Sequence, residues 1–246
     1  MTVRDQGNCD GDWAAAVASA FSDRLCIQTN GTISKHLSVQ DILSCCGWRC
    51  GMGCNGGYSA KGWNYLQTSG AITGGDYNTT AGTPSGGCLP YSLPPCQFDV
   101  THACDAIPGS TLTPTCSRMC AERYYSHAPE RITNTTTAIE AELYYHGPVT
   151  STIDLYQDFL LQAGLRRTIY QHRTGAPVIG SLTIKLLGYG RAEWSATDYW
   201  IAATSWGPNW GDYKGFFFIA RGTNECNVEN DTIGAMVNLE PNGGNS

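Results

Sequence analysis

Charged side chains and long apolar runs are both scarce in this chain of 246 residues. Charged residues make up 15 % of it, against roughly 25 % in an average soluble domain. Its 15 basic residues are outnumbered by 21 acidic ones, and no basic cluster is longer than the pair Arg166 and Arg167. This balance argues against nucleic acid or an anionic membrane surface as a partner. No apolar run reaches the ~18 residues of a membrane span.

Cysteine, by contrast, is abundant, with 12 residues that crowd between Cys9 and Cys120 except for Cys226. Cytosolic proteins rarely carry so many cysteines unless they bind metal. The spacing here lacks repeated C-x₂-C pairs, and no histidine lies among the cysteines from Cys45 to Cys54. Zinc sites normally show such pairs. The sequence therefore predicts disulfide bonds, no metal site and no cofactor.

Four N-x-S/T sequons also point to an oxidising compartment, since glycan is added to such motifs in secreted proteins. Their asparagines are Asn30, Asn78, Asn134 and Asn230. We predict a glycoprotein of the secretory pathway, either lysosomal or vacuolar or extracellular. The first residues lack the apolar segment of a signal peptide. We therefore expect that a signal has been removed from this sequence.

Helical patterns dominate the first half of the chain. Apolar residues at four-residue spacing predict a helix from Asp12 to Ile27, and Ser38 with Asp41 resembles a capping box. A third helical pattern runs over residues 58–69. In the second half, Thr137 with Glu140 is predicted to cap a helix that ends at His146.

Strand-like runs follow that helix, at residues 149–155, 183–189, 199–203 and 215–220. A helical, disulfide-linked half followed by a β-rich half predicts an α+β protein with two packed lobes and a cleft between them. We place the first lobe at 1–130 and the second at 131–240, with a frayed tail at 241–246.

Several segments resemble papain-like cysteine peptidases. The stretch Gln6–Ala14 is similar to the nucleophile segment Q-G-x-C-G-S-C-W-A, and Asp198–Gly207 is similar to Y-W-x-x-x-N-S-W-G. Ser22–Ile27, Pro90–Cys96 and Tyr170–His172 resemble the cathepsin B-like members of the family. The resemblance implies a papain-like fold, with a helical, disulfide-rich left lobe and an antiparallel, barrel-like right lobe. It also implies that an N-terminal strand and a propeptide are missing here.

The resemblance breaks at the three catalytic positions. The nucleophilic cysteine falls on Asp12, the general-base histidine on Leu182 (or on Ser181 with a one-residue gap), and the orienting asparagine on Thr204. A carboxylate attacks amides poorly, and leucine cannot carry a proton. The helix N-terminus is expected to favour the ionised form of Asp12. We therefore expect a homologue of a papain-family endopeptidase that is not itself an enzyme.

Substrate-groove positions are retained better than catalytic ones. The resemblance implies that Gln6 is the oxyanion-hole donor, and that a peptide groove is lined by Asn55, Gly56, Gly57, Trp206 and Asp231. Asp231 falls where cathepsin B has an acidic pocket residue that accepts basic side chains. The loop from Cys96 to Cys104 resembles the occluding loop, with Phe98 and Asp99 replacing its paired histidines. An aspartate there repels a carboxylate, so C-terminal dipeptide trimming is not expected.

A disulfide pattern can also be carried over from cathepsin B. It pairs Cys9 with Cys54, Cys45 with Cys116, Cys46 with Cys50, Cys88 with Cys120, and Cys96 with Cys104. Sequence alone does not choose among the possible pairings. Cys26 and Cys226 are left over.

These observations favour a monomeric, inactive, cathepsin B-like protein that binds peptides, cystatin-like inhibitors or a protein partner. Two alternatives stay open. In the first, the chain retains peptidase or other hydrolase activity through Asp12. In the second, it is a secreted surface or antigen protein in which the groove has no function.

Overall fold

The computed structural model describes residues 3–96, 112–117 and 120–240. Within these ranges the first half of the chain is helical and the second half is rich in strands. The helices are α1 (Asp12–Gln28), α2 (Val39–Cys45), α3 (Ser59–Thr68), α4 (Thr136–Tyr145) and α5 (Phe159–Gln162). The strands are β1 (Tyr125–Ser126), β2 (Glu130–Arg131), β3 (Val149–Tyr156), β4 (Ile169–Tyr170), β5 (Val178–Ala192), β6 (Thr197–Ala203), β7 (Phe216–Ala220), β8 (Ile233–Gly234) and β9 (Val237–Asn238).

The helix caps follow local chemistry. Ser38 caps α2 by accepting a hydrogen bond from the backbone N–H of Asp41, as its sequence pattern predicts. The predicted cap of α4 is wrong by two residues: Thr135, not Thr137, accepts from the N–H of Ala138. Thr135 has the extended backbone of an N-cap residue, whereas Thr137 already lies inside the helix.

Seven of the strands form a sheet in the order β2-β8-β3-β5-β6-β7-β4. All described neighbours in it are antiparallel except β4 and β7, which run parallel. Its long central strand, β5, extends beyond the predicted segment at both ends. The mixture of helices and an almost entirely antiparallel sheet confirms the predicted α+β class.

Two separate apolar cores lie under these elements. The first joins α1, α2 and α3 and has Trp13 and Trp63 at its centre. The second fills the space between the large sheet and α4 and α5, around Trp200 and Phe217. Ile233, Ala235 and Val237 pack in the first core although they lie in the second predicted lobe, so the chain returns to the first lobe here. The boundary at 130 and 131 stays a prediction.

Disulfides stabilise the loop-rich first lobe. The structure joins Cys9 to Cys54, Cys45 to Cys116, Cys46 to Cys50, and Cys88 to Cys120. These are four of the pairs that the resemblance implies. Cys96 is also disulfide-bonded, but its predicted partner Cys104 lies outside the described residues. Among the described residues Cys26 and Cys226 are free thiols.

Helix α1 ties the two lobes together through polar contacts. Near its middle, Ser19 and Asp23 lie 2.7 and 2.8 Å from the ammonium of Lys185 on β5. Near its end, the buried Arg24 donates to the carbonyl oxygen of Pro148 at 2.6 Å and lies 2.6 Å from a Glu142 oxygen. No helix within the described part of the chain is long and apolar enough to cross a membrane.

Candidate functional site

A cavity of about 1040 Å³ lies between the two lobes. Its left side is formed by residues 6–12 and 56–60, which lead into α1 and α3. Its right side is formed by β3, β5 and the segments around α5 and residues 206–211. Clefts between lobes are a preferred place for ligands, because they allow a bound molecule to be buried on several sides.

Asp12 stands at the junction of the two sides, as the first residue of α1. Its Oδ2 accepts a hydrogen bond from the backbone N–H of Thr183 on β5, with an N–O distance of 2.5 Å. Burial raises the pKa of Asp12 to about 6, although the hydrogen bond from Thr183 opposes this shift and nearby Asp10 adds to it. Loss of hydration thus outweighs the stabilisation of the ionised form that the helix N-terminus is expected to give, so the net shift of the pKa is upward.

The other two predicted catalytic positions differ in their surroundings. Leu182, beside Thr183 on β5, is buried and lines the cavity with its neighbour Ser181. Thr204 is buried at the end of β6, where its Oγ1 donates to the carbonyl oxygen of Gly215 at 3.3 Å. It does not line the cavity. Among the described residues that line the cavity there is no histidine, and Cys9 is disulfide-bonded.

Gln6 lines the cavity, but its side chain has internal partners. Its Nε2 donates to the carbonyl oxygen of Cys9 at 2.7 Å, and its Oε1 accepts from the hydroxyl of Ser205 at 2.5 Å. The amide is thereby held in a fixed orientation. An oxyanion-hole role for Gln6 stays a prediction.

The predicted glycine wall forms part of the left side. Gly56 and Gly57 line the cavity, whereas Asn55 is exposed and does not. A Cβ on Gly57 would lie 2.5 Å from Cε2 of Trp13, so the indole ring of the first core requires glycine at this position. This packing role is sufficient to explain Gly57 without a ligand.

On the right side, Trp206 and Trp210 form the floor of an apolar region. The two rings are 5.2 Å apart in a T-shaped arrangement, and both pack against Phe159 of α5. The same cavity is lined by four apolar side chains that are exposed, and we call them the row of exposed leucines and isoleucine: Leu160 (37 %), Leu161 (56 %), Leu165 (46 %) and Ile179 (49 %). We did not find this row from the sequence. The run Phe159–Leu161 was the available signal, but a short apolar run does not distinguish a core from a surface.

Asp231 lines the cavity together with a basic partner, Arg131, which the sequence analysis did not predict. The guanidinium of Arg131, on β2, lies 2.6 Å from Oδ1 of Asp231. Both side chains are accessible, with exposures of 61 % and 33 %. Asp231 thus lies at the cavity, as expected, but its charge is already balanced by a residue 100 positions earlier in the chain.

Comparison with known proteins places this geometry in a family. Residues 1–236 match the model of the papain family cysteine proteases. The chain belongs to that family.

Its relatives include the cathepsin B-like cysteine proteinases 3 and 4 of Caenorhabditis elegans. The first is 39 % identical over 249 aligned residues, which cover 96 % of this chain and 62 % of the relative. The second is 38 % identical over 246 aligned residues, which cover 95 % of this chain and 70 % of the relative. Cathepsin B-like cysteine proteinase 1 of Ostertagia ostertagi is also 38 % identical, with 92 % of this chain and 65 % of the relative covered. The chain therefore spans less than two thirds of the length of two of these relatives.

The solved structure of proCathepsin B S9 from Trypanosoma congolense is similar as well. It matches with a TM-score of 0.77 and 28 % identity, covering 97 % of this chain and 72 % of that chain. The papain-like, cathepsin B-like fold is thus confirmed. The expectation that the chain is not an enzyme is contradicted, because the family and the named relatives are cysteine proteases.

Proposed function

We propose that the interlobe cavity binds an extended peptide, as part of a cathepsin B-like protein of the papain family. The observation that carries this proposal is the row of exposed leucines and isoleucine opposite the glycine wall. Exposed apolar surface in a large cavity favours a ligand with apolar side chains, because binding removes that surface from water. A peptide, a loop of an inhibitor or a segment of a partner protein could each supply such side chains.

The centre of the cavity differs in chemistry from the thiol-based centre that the family name implies. We propose that Asp12, Leu182 and Thr204 occupy the positions of the nucleophile, the base and the orienting residue. The position of Asp12 at the first turn of α1, against β5, supports this assignment for Asp12. Thiol reactivity at this centre would require a free cysteine, and the described cavity residues include none.

One observation favours a second candidate, hydrolysis that depends on Asp12. A pKa of about 6 places this carboxyl close to the pH of many cellular compartments, and general acid–base catalysis is most efficient when the pKa lies near the working pH. The carboxyl could then give or take a proton at the centre of the cleft.

Binding and hydrolysis can be separated by one set of experiments. A fluorescein-labelled peptide rich in leucine is titrated with protein and followed by anisotropy, and its length is checked by mass spectrometry after overnight incubation. We expect saturable binding that Leu161→Asp weakens strongly and that Leu239→Asp does not, because Leu239 is 59 % exposed but lies outside the cavity. Equal effects of the two substitutions would contradict the proposal.

The same incubation tests the second candidate. Cleavage of the peptide that Asp12→Asn abolishes would establish hydrolysis through Asp12. Labelling of wild-type protein by an epoxide thiol reagent at a cleft residue would instead show that the assignment of the catalytic positions is wrong.

The compartment is a further proposal. The disulfides support an oxidising environment, and the four sequon asparagines are all exposed. Both features suit a secreted or lysosomal glycoprotein. A shift in electrophoretic mobility after treatment of the native protein with a glycosidase tests the glycan directly.

A further inference from the structure

A second cluster of reactive side chains lies away from the cavity, at one edge of the large sheet. It consists of His172, which follows β4, and of Glu225 and Cys226, which follow β7. Strands β4 and β7 are parallel neighbours. Parallel neighbouring strands finish at the same end of a sheet. The segments that follow β4 and β7 therefore meet, although His172 and Glu225 are 53 residues apart in the sequence.

The side chains of His172 and Cys226 converge on a single oxygen atom of Glu225. Nδ1 of His172 lies 2.5 Å from Oε1 of Glu225, and Sγ of Cys226 lies 3.2 Å from the same oxygen. The backbone N–H of His172 also donates to it, at 3.1 Å. One nitrogen, one oxygen and one sulfur atom thus all lie within 4.8 Å of one another.

The surroundings hold this arrangement in place while leaving access to it. The ring of Tyr156, on β3, stacks on the imidazole of His172 with 4.3 Å between ring centres and 17° between planes. Cys226 and Glu225 are largely buried, whereas the side chain of His172 is 36 % exposed. An ion could therefore approach from the histidine side, and the stacked ring restricts rotation of the imidazole.

We propose that His172, Glu225 and Cys226 bind a divalent transition metal ion of the zinc type. Imidazole nitrogen, carboxylate oxygen and thiolate sulfur are the donors that zinc prefers, with metal–donor distances of about 2.0 to 2.3 Å. On binding, the thiol proton is released to solvent and a metal–sulfur bond forms. A neutral imidazole, a carboxylate and a thiolate balance the charge of the ion, which favours a largely buried site.

Donor atoms around a tetrahedral zinc ion are separated by roughly 3.3 to 3.8 Å, as follows from the bond lengths. The oxygen–sulfur distance of 3.2 Å is already close to this range. The nitrogen–oxygen distance of 2.5 Å must open by about 1 Å, which requires a small shift of the partly exposed imidazole along the ring of Tyr156. Three protein ligands leave the fourth position for water.

This site was not predicted from the sequence, because its ligands come from distant segments rather than from a spaced cysteine motif. It is independent of the proposed peptide binding, since none of the three residues lines the cavity.

Cobalt(II) provides the decisive test, because a thiolate ligand gives it a sulfur-to-cobalt charge-transfer absorption in the near ultraviolet. Metal-stripped protein with intact disulfides is titrated with cobalt chloride and then with zinc chloride. We expect one equivalent of cobalt to produce the absorption and zinc to remove it. Cys226→Ser should abolish the absorption and weaken zinc binding by more than about 100-fold, since loss of outer partners alone costs 10–100-fold.

Two control variants match the proposed ligands. Cys26→Ser removes the other free thiol of the described residues, and His146→Gln removes a histidine that pairs with Glu142 at 2.8 Å. In the part of the chain that the structure describes, that pair does not belong to a group of three metal-binding donors. Neither variant should change the absorption. The proposal is overturned if saturating cobalt gives no absorption with wild-type protein, if Cys226→Ser retains it, or if Cys26→Ser loses it.

A second measurement covers the case in which Cys226→Ser does not fold. In wild-type protein, zinc should slow the alkylation of Cys226 by iodoacetamide at least tenfold, as followed by peptide mass spectrometry, and should leave Cys26 unaffected. Equal alkylation rates of Cys226 with and without zinc would overturn the proposal.

Discussion

Removal of Arg131 should make the cavity more selective for peptides with a basic side chain. Arg131 lies 2.6 Å from Asp231, and its Nη1 also donates to the carbonyl oxygen of Asn230 at 3.2 Å. A basic side chain of a ligand must therefore compete with an arginine of the protein itself for the same carboxylate. Arg131→Ala removes the competitor and also makes the cavity more negative.

The size of the effect follows from the exposure of the pair. With 61 % and 33 % of the two side chains exposed, the pair belongs to the class of ion pairs worth about 0.2 to 1 kcal/mol. Since 1.4 kcal/mol corresponds to a tenfold change in a dissociation constant, Arg131→Ala should tighten the binding of a basic peptide by about 1.4- to 5-fold. The gain should shrink at high salt, because exposed charges are screened.

The assay compares two labelled peptides that are identical except for arginine or norleucine at one position. Only the arginine peptide should bind Arg131→Ala more tightly than wild-type protein, and the additional substitution Asp231→Asn should remove the gain. Arg191→Ala serves as the control, because Arg191 is 67 % exposed and pairs with Asp198 away from the cavity. An equal gain for both peptides, or a loss for the arginine peptide, would refute the reasoning.

Three further substitutions test the physical account of the lobes and the cleft centre. The carboxyl of Asp12 has a pKa of about 6 in the folded protein and 3.8 as its ordinary value, so the folded state binds its proton more tightly. Wild-type stability should then fall relative to Asp12→Asn by ~1–3 kcal/mol between pH 4 and pH 7, measured by urea unfolding. Asp23→Ala leaves the buried ammonium of Lys185 without its carboxylate and should cost about 3–5 kcal/mol in the same assay; a cost below 1 kcal/mol would contradict the pairing. Gly57→Ala should lower stability by about 1–3 kcal/mol through overpacking, whereas Gly180→Ala, with no atom within 4 Å of the added carbon, should not.

Local patterns in the sequence were sufficient to predict much of the fold. The helix that starts at Asp12 and the cap at Ser38 depend on residues within one or two turns, and both are present in the structure. The strand β5 was predicted too short at both ends, because residues 178–181 and 191 are exposed and the outer segments carry no apolar alternation. Its full length follows from pairing with β3 and β6, which no local pattern encodes.

The residues of the candidate site were likewise predicted only in part from the sequence. Asp12, Gly57 and Asp231 were found because they lie within segments that resemble a known family. Arg131 was not, since it reaches the cavity from a two-residue strand whose position depends on pairing with β8. The burial that raises the pKa of Asp12 likewise exists only in the folded chain, where Thr183, 171 residues away, comes within hydrogen-bond distance of the carboxyl.

The shape of the cleft depends on contacts that are separate from its central residue. Besides Asp12, whose carboxylate accepts from Thr183, α1 is joined to the second lobe by the pair of Asp23 and Lys185 and by the buried Arg24. Each of the last two contacts is mostly shielded from water, so removing one partner of either contact is expected to cost more than breaking an exposed pair would. A carboxyl at the nucleophile position, as proposed for Asp12, would therefore change the chemistry of the cleft while the lobes remain in place. We therefore expect that the proposed peptide binding and any bond cleavage can be separated, and that the Asp12→Asn variant retains the binding whatever it does to cleavage.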